Sequence, residues 1–174
     1  LGLPVMSEWM ADSRVRVATE SVQTGIMLAR AEAIRRNAPV RFQLTSSLDD
    51  SCTLSAGGAN WVVSLDDPTE SCDVAPSQDN PPRIIQIRSG SEGGGATAVS
   101  ATRGGAPANL ATFVGTGRLS GFSIDTINVT NPAAGACQHA GGNVRCLRIR
   151  IMNGGDSRIC DPRVTDANDL RRCP

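Results

Sequence analysis

The residues of this chain best able to do chemistry are its six cysteines, Cys52, Cys72, Cys137, Cys146, Cys160 and Cys173. A thiolate can attack a substrate, ligate a metal or pair with a second sulfur, and spacing decides among these. None of the six forms a CxxC pair. They are even in number and lie in Gly-rich, polar sequence, which reads as disulfides in an oxidising compartment. The sequential set Cys52–Cys72, Cys137–Cys146 and Cys160–Cys173 is favoured, because each pair brackets a segment that otherwise reads as a loop. The competing arrangement is a metal site of Cys137, His139 and Cys146, which lacks a fourth ligand and needs reducing surroundings. A nucleophilic cysteine has little support, since the single histidine stands two residues from Cys137 with no matched acid. The pairs Asp49-Asp50 and Asp66-Asp67 could share a proton or hold a divalent cation. Both adjoin predicted strand ends, where Asp is ordinary turn chemistry, and Asp66-Asp67-Pro68 is a turn sequence. There is no Ser-His-Asp spacing, nucleophile elbow or dinucleotide fingerprint. The expectation is a protein that is not an enzyme and carries no cofactor.

Arginine supplies the second chemical signal. All 17 basic residues are Arg, and they balance 17 acids to a net charge of zero. The balance is a cancellation between segments. Residues 1–48 carry +2, residues 49–82 carry seven acids and no Arg for −7, residues 83–144 carry +2 and residues 145–174 carry +3. An acidic lobe between basic ends suits assembly with a charged partner. In the tail, Arg145, Arg148, Arg150, Arg158, Arg163, Arg171 and Arg172 fall close together. Guanidinium groups grip phosphates and carboxylates in bidentate fashion, so Arg148, Arg150, Arg158, Arg163, Arg171 and Arg172 are candidate contacts to DNA or to a protein partner. The plainer account is a solvated strand face whose Arg pair with Asp156, Asp161, Asp166 and Asp169. Aromatic residues for base stacking are missing from the segment.

These groups must be positioned by a domain of ordinary size, since 174 residues make one unit able to bury its own core. No run of 18 apolar residues is present to span a membrane. Residues 7 to 37 carry the helical periodicity. Ala11, Val15, Ala18, Val22, Gly25/Ile26, Ala29 and Ala33 recur at steps of three and four, with Ser7 as the predicted cap and Asn37-Ala38-Pro39 as the stop. Alanines and a glycine in the stripe let a helix approach a sheet closely, and Ala11, Val15, Ala18, Val22, Ala29 and Ala33 are the candidate assembly face. Arg30, Glu32, Arg35 and Arg36 read as a solvated flank. After Pro39 the period becomes two. Val40, Phe42 and Leu44 predict a strand with one buried face. Further strands are predicted at 61–65, 83–88, 97–101, 110–114, 122–129 and 144–152, with Gly and Pro clusters as turns. Antiparallel sheets packed on the last half of a long helix make an α+β domain. Ser89 to Gly95 lacks the Lys-Ser/Thr of a phosphate loop and reads as a hairpin connection. Asn128-Val129-Thr130 fits the short glycosylation pattern.

The segment Leu28-Ala29-Arg30-Ala31-Glu32-Ala33-Ile34-Arg35-Arg36-Asn37 with Pro39-Val40 carries a more specific signal. So do Asn60-Trp61-Val62-Val63, Phe113-Val114-Gly115-Thr116-Gly117-Arg118, Arg148-Ile149-Arg150-Ile151 and Gly154 to Pro162. Together they resemble the GspH/FimT family of type IV minor pilins and type II secretion pseudopilins over nearly the whole chain. The resemblance implies a pilin-like fold: a helix over 1–37, then a β-rich globular part over 38–174 that includes a disulfide-tied tail at 154–174. Leu1 to Met6 would be the end of an apolar helix that anchors such subunits in the inner membrane before they enter a pilus or pseudopilus. The implied partners are other pilins or pseudopilins. The implied role is a minor pilin in type IV pilus assembly or initiation, the Cys160-Asp161-Pro162 ending favouring that branch. The alternatives are a pilus-associated DNA receptor for natural transformation and a GspH-like secretion pseudopilin. DNA-binding members share a Gly-Arg-x-Arg motif. The matching stretch here is Gly155-Asp156-Ser157-Arg158, which keeps the second Arg and puts a carboxylate in place of the first.

Overall fold

The computed structural model describes residues 3–90 and 97–174. The predicted connection at Ser89–Gly95 lies mostly outside the described residues. Among the described residues one α-helix, α1 (Leu3–Arg36), precedes ten strands. At 34 residues α1 is about 51 Å long. It starts ahead of the predicted cap, so Ser7 sits inside it, and Pro4 is tolerated in the first turn, where its missing N–H has no helical partner to lose. The end is as expected and its cause is explicit. Asn37 takes a left-handed φ of 48°, the Ala38 amide bonds the Ala33 carbonyl and the Asn37 amide bonds that of Ile34, both at 3.2 Å. That is a Schellman closure, with Pro39 barring continuation.

Two five-stranded antiparallel sheets follow. The first, in the order β3 (Ile84–Arg88), β2 (Asn60–Ser64), β1 (Val40–Thr45), β6 (Leu110–Phe113), β7 (Leu119–Ser120), is built around the Phe42 strand. The second runs β10 (Ser157–Cys160), β9 (Leu147–Ile151), β8 (Thr126–Thr130), β4 (Ala98–Arg103), β5 (Ala106–Pro107). The helix packs against both sheets over its middle and last part, with buried positions from Ala11 to Ala33, and Asp12 accepts the Arg145 amide at 2.8 Å. The expectation that only its last half would be packed is corrected. The shared core joins Val15, Val22 and Ile26 of α1 to Phe42, Trp61 and Phe113 of the first sheet and Ile127 and Ile149 of the second.

Strand β1 departs from the half-buried strand its alternation predicted, because Gln43 and Thr45 are buried as fully as Phe42 and Leu44. The reason is a second, smaller core on the far side of the first sheet. Val62 and Ile84 meet the disulfide Cys52–Cys72 there, with Leu48, Val74 and Ile87 around them. The segments on either side of β2, which carry all the acids of 49–82, therefore form a lobe stapled by Cys52–Cys72 onto the sheet face opposite the helix. The other disulfides are Cys137–Cys146 and Cys160–Cys173. The structure thus has the sequential set, and the sulfurs of Cys137 and Cys146 are spent on each other, leaving none beside the exposed His139 to hold a metal.

Candidate functional site

Helix α1 presents two opposed faces. Ala11, Val15, Ala18, Val22, Ala29 and Ala33, read from sequence as an assembly face, are all buried by the chain's own sheets. That reading is corrected: the small stripe is the intramolecular face. Its size has a direct structural use. A Cβ added at Gly25 would stand 2.9 Å from both Phe42 Cε2 and Trp61 Cε3, so glycine is what lets the two rings reach the helix. Those rings pack tilted with centroids 5.9 Å apart, and the indole N–H of Trp61 donates to Ser21 Oγ at 3.3 Å.

The free face is the opposite one. Met6, Met10, Ser13, Val17, Glu20, Thr24, Met27, Ala31 and Ile34 are all exposed and recur at alternating steps of four and three. Met6, Met27 and Ile34 are each more than half exposed, at 63%, 58% and 51%, and Trp9 beside them reaches 70%. Glu20 is the one charge on the stripe. Seven-residue spacing drifts only about 20° per repeat on a straight helix, so these side chains form one continuous ribbon along α1. Sequence reasoning missed them. The same three-four spacing that marked the inner stripe marks this one, offset to the other side of the helix.

Arg30, expected in a solvated flank, is a clamp. Its Nε donates to the Gly117 carbonyl at 3.1 Å, Nη1 to Asp156 Oδ1 at 2.8 Å and Nη2 to the Gly154 carbonyl at 3.3 Å. It thereby ties α1 to the β6–β7 turn and to the turn before β10. Gly155, at φ 88°, is required there, since a Cβ would meet the Gly117 carbonyl oxygen at 1.8 Å. Asp156, standing where the DNA-binding motif has Arg, is thus the partner of a helix arginine. Glu32 is also less free than expected, because hydrogen bonds from Arg35, and then from Arg36, hold its carboxyl below the usual range.

The tail arginines fall into a common region by strand register. Arg148 and Arg150 alternate with the inward Leu147, Ile149 and Ile151 along β9, and Arg158 of β10 lies directly across from Arg150. Residues 154–174, expected as a disulfide-tied tail, therefore include a paired strand, β10. Its cue, Ile159 between Arg158 and Cys160, was too short to read as alternation. Cys160 shares the outer face, and its disulfide to Cys173 folds the tail back so that Arg158 Nη2 donates to the Arg172 carbonyl at 2.9 Å. Arg148 Nε donates to Asn128 Oδ1 at 2.7 Å. Arg150 donates to Thr126 Oγ1 and lies 3.8 Å from Asp125. Arg171 pairs with Asp169 at 2.7 Å, and its hydrogen bond holds that carboxyl at about 2. Arg145 pairs with the buried Asp161, whose other oxygen accepts the Arg163 amide at 3.0 Å. So Arg148, Arg150 and Arg158 share one sheet face with Arg172 beside them, while Arg163 is placed by its backbone at the tail's start.

The aspartate pairs do turn work. Asp49 Oδ1 accepts from Ser47 and Ser51, and Asp67 accepts from Thr69. Asp66 receives two hydrogen bonds from Arg83, which hold its carboxyl below the ordinary range. Asn128, the glycosylation candidate, is inside β8 with its side chain bonded to Arg148. Among the described residues no group of three or more His, Cys, Asp or Glu could hold a metal, and no helix is long and apolar enough to cross a membrane.

A single long helix on two antiparallel sheets has counterparts among solved structures. The chain is similar to the type IV minor pilin FimU of Pseudomonas aeruginosa PAO1 in two crystal forms. One gives a TM-score of 0.55 at 12% identity over 83% of this chain and 87% of that one. The other gives 0.51 at 12% identity over 83% and 90%. No curated protein matches it. The family model described as type II transport protein GspH matches residues 18–155, from the buried middle of α1 through Gly155. That span is most of the chain, and the protein belongs to the GspH family.

Proposed function

We propose that this chain is a minor pilin-type subunit of a type IV pilus, which joins neighbouring subunits through the outward ribbon of α1. The observation that supports the reading is the apolar ribbon itself. A Met, Val or Ile side chain gains roughly 1.5–3 kcal/mol on full burial, so covering half-exposed side chains would contribute about 1 kcal/mol each. Met6, Trp9, Met10, Val17, Met27 and Ile34 together then supply several kcal/mol toward the cost of association. The Cys160-Asp161-Pro162 ending favours a pilus over a secretion pseudopilus. Attachment to the inner membrane through an apolar helical segment, before entry into the filament, is part of this reading and is supported by the family. Neighbouring genes for pilus or secretion machinery distinguish the two branches.

The test uses the full-length subunit, co-expressed with the other pilins of its own genome. Val17→Arg and Met27→Arg alter side chains about half exposed and outside the buried core, so both variants are expected to keep most of the wild-type thermal stability while losing co-purification and surface filaments. Wild-type co-purification by both would refute the ribbon as the joining face. The DNA-receptor reading has weaker support, since Asp156 and Asp169 stand within the basic tail. A titration with short duplex DNA at physiological salt, alongside Arg158→Ala, decides it.

A further inference from the structure

The outer face of the second sheet is a cationic surface on which Arg150 pairs with Asp125, while the charges of Arg148 and Arg158 are held in place without being cancelled. Arg148 bonds the amide oxygen of Asn128, and Arg158 bonds the backbone carbonyl of Arg172. Among the described residues neither makes an ion pair, and Arg172 is exposed beside them. Neutral acceptors orient a guanidinium at little electrostatic cost and leave it able to attract an anion. The complementary surface is on the same chain. The lobe at 49–82 has net charge −7, and Asp50, Glu70, Asp73 and Asp79 are exposed on it without a charged partner among the described residues. Lobe and arginine face lie on the outer sides of different sheets, so one chain cannot join them internally.

We propose that the arginine face, centred on Arg148, Arg158 and Arg172, docks on the acidic lobe of a second copy of this chain, as an electrostatic contact separate from the helix ribbon. Such a contact is heterologous: the face used on one copy differs from the face used on the next. Unless the rotation closes a ring, it propagates as an open filament. The proposal extends the assembly reading and rests on it for its setting, but a distinct surface carries it.

Charge reversal tests it. Arg148→Glu/Arg158→Glu/Arg172→Glu makes the sheet face acidic, and Asp50→Arg/Glu70→Arg/Asp73→Arg/Asp79→Arg takes the lobe from −7 to +1 and makes it basic. Sedimentation equilibrium of the 174-residue chain at millimolar concentration should show self-association that weakens about tenfold from low salt to half-molar salt. Each variant alone should lose it. The two mixed together should recover it, because each then offers the sign the other lacks. A Val17→Arg/Met27→Arg variant should retain it, which separates this contact from the ribbon. Salt-independent association, or failure of the mixture to recover, overturns the proposal. So does a chain that stays monomeric while its arginine face binds duplex DNA.

Discussion

Replacing Arg30 by Ala removes three hydrogen bonds at once, and the structure permits the loss to be apportioned. The Arg30–Asp156 pair spans 2.8 Å, but its side chains are 34% and 72% exposed. Water and salt screen such a pair, so it is worth about 0.5 kcal/mol. The bond from Nε to the Gly117 carbonyl, at 3.1 Å and partly buried, is worth about 1 kcal/mol, and the longer one to Gly154 about half that. Arg30→Ala should then cost about 2 kcal/mol, a fall of about 6 °C in Tm for a chain of this size. Asp156→Ala loses the exposed pair alone and should fall by about 1.5 °C. Thermal denaturation near neutral pH with the disulfides intact measures both. Half-molar salt should erase most of the Asp156 effect and little of the Arg30 effect, because carbonyl acceptors carry no net charge to screen. Equal losses in the two variants would refute the clamp and return Arg30 to an ordinary surface ion pair.

Two further outcomes follow from the geometry. Gly25→Ala gains about 1 kcal/mol of helix propensity but pushes Cβ into the Phe42 and Trp61 rings at 2.9 Å, which should cost about 2 kcal/mol. A net loss in denaturation midpoint with a changed Trp near-ultraviolet signal is expected, and a stabilised variant would contradict the close approach. For Asp169, the hydrogen bond from Arg171 lowers the folded-state value from 3.8 to about 2, so the stabilisation it brings is present above the ordinary value. It is lost as pH falls through the window from 3.8 to about 2. A carboxyl-carbon NMR titration should place the Asp169 midpoint near the lower figure in wild type and higher in Arg171→Gln, which removes the side-chain hydrogen bond and keeps the backbone one.

Much of the fold was legible because local chemistry and tertiary packing agree. The helix end at Asn37–Pro39, seven of the eight strands longer than two residues and the cysteine pairs are each signalled locally, within about 20 residues, and met by contacts at longer range. Legibility failed where a distant segment decides. The burial of Gln43 depends on a lobe that returns through Cys72, and nothing near residue 43 announces it. Strands β5 and β7 are two residues each, too short for any period to register. Arg30 looked like solvated charge because its acceptors are backbone carbonyls at 117 and 154, which carry no mark in sequence.

The two faces of α1 bear on assembly in a way that neither does alone. A helix that serves only its own domain puts its bulkier apolar side chains inward and charge outward. Here the inner stripe is largely Ala, Val and Gly, while Met6, Met10, Met27 and Ile34 remain in the open. The inner choice follows from the sheets, since Phe42 and Trp61 already fill the space and Gly25 must yield to them. The outer choice has no comparable intramolecular cause: Ile34 touches the turn at Gly117, yet it and Met27 stay more than half exposed, where polar residues would be better solvated. Two equally regular ribbons at three-four spacing run along α1, one satisfied within the chain and one not. The first packing completes the domain, and the second is the one proposed for a neighbouring subunit.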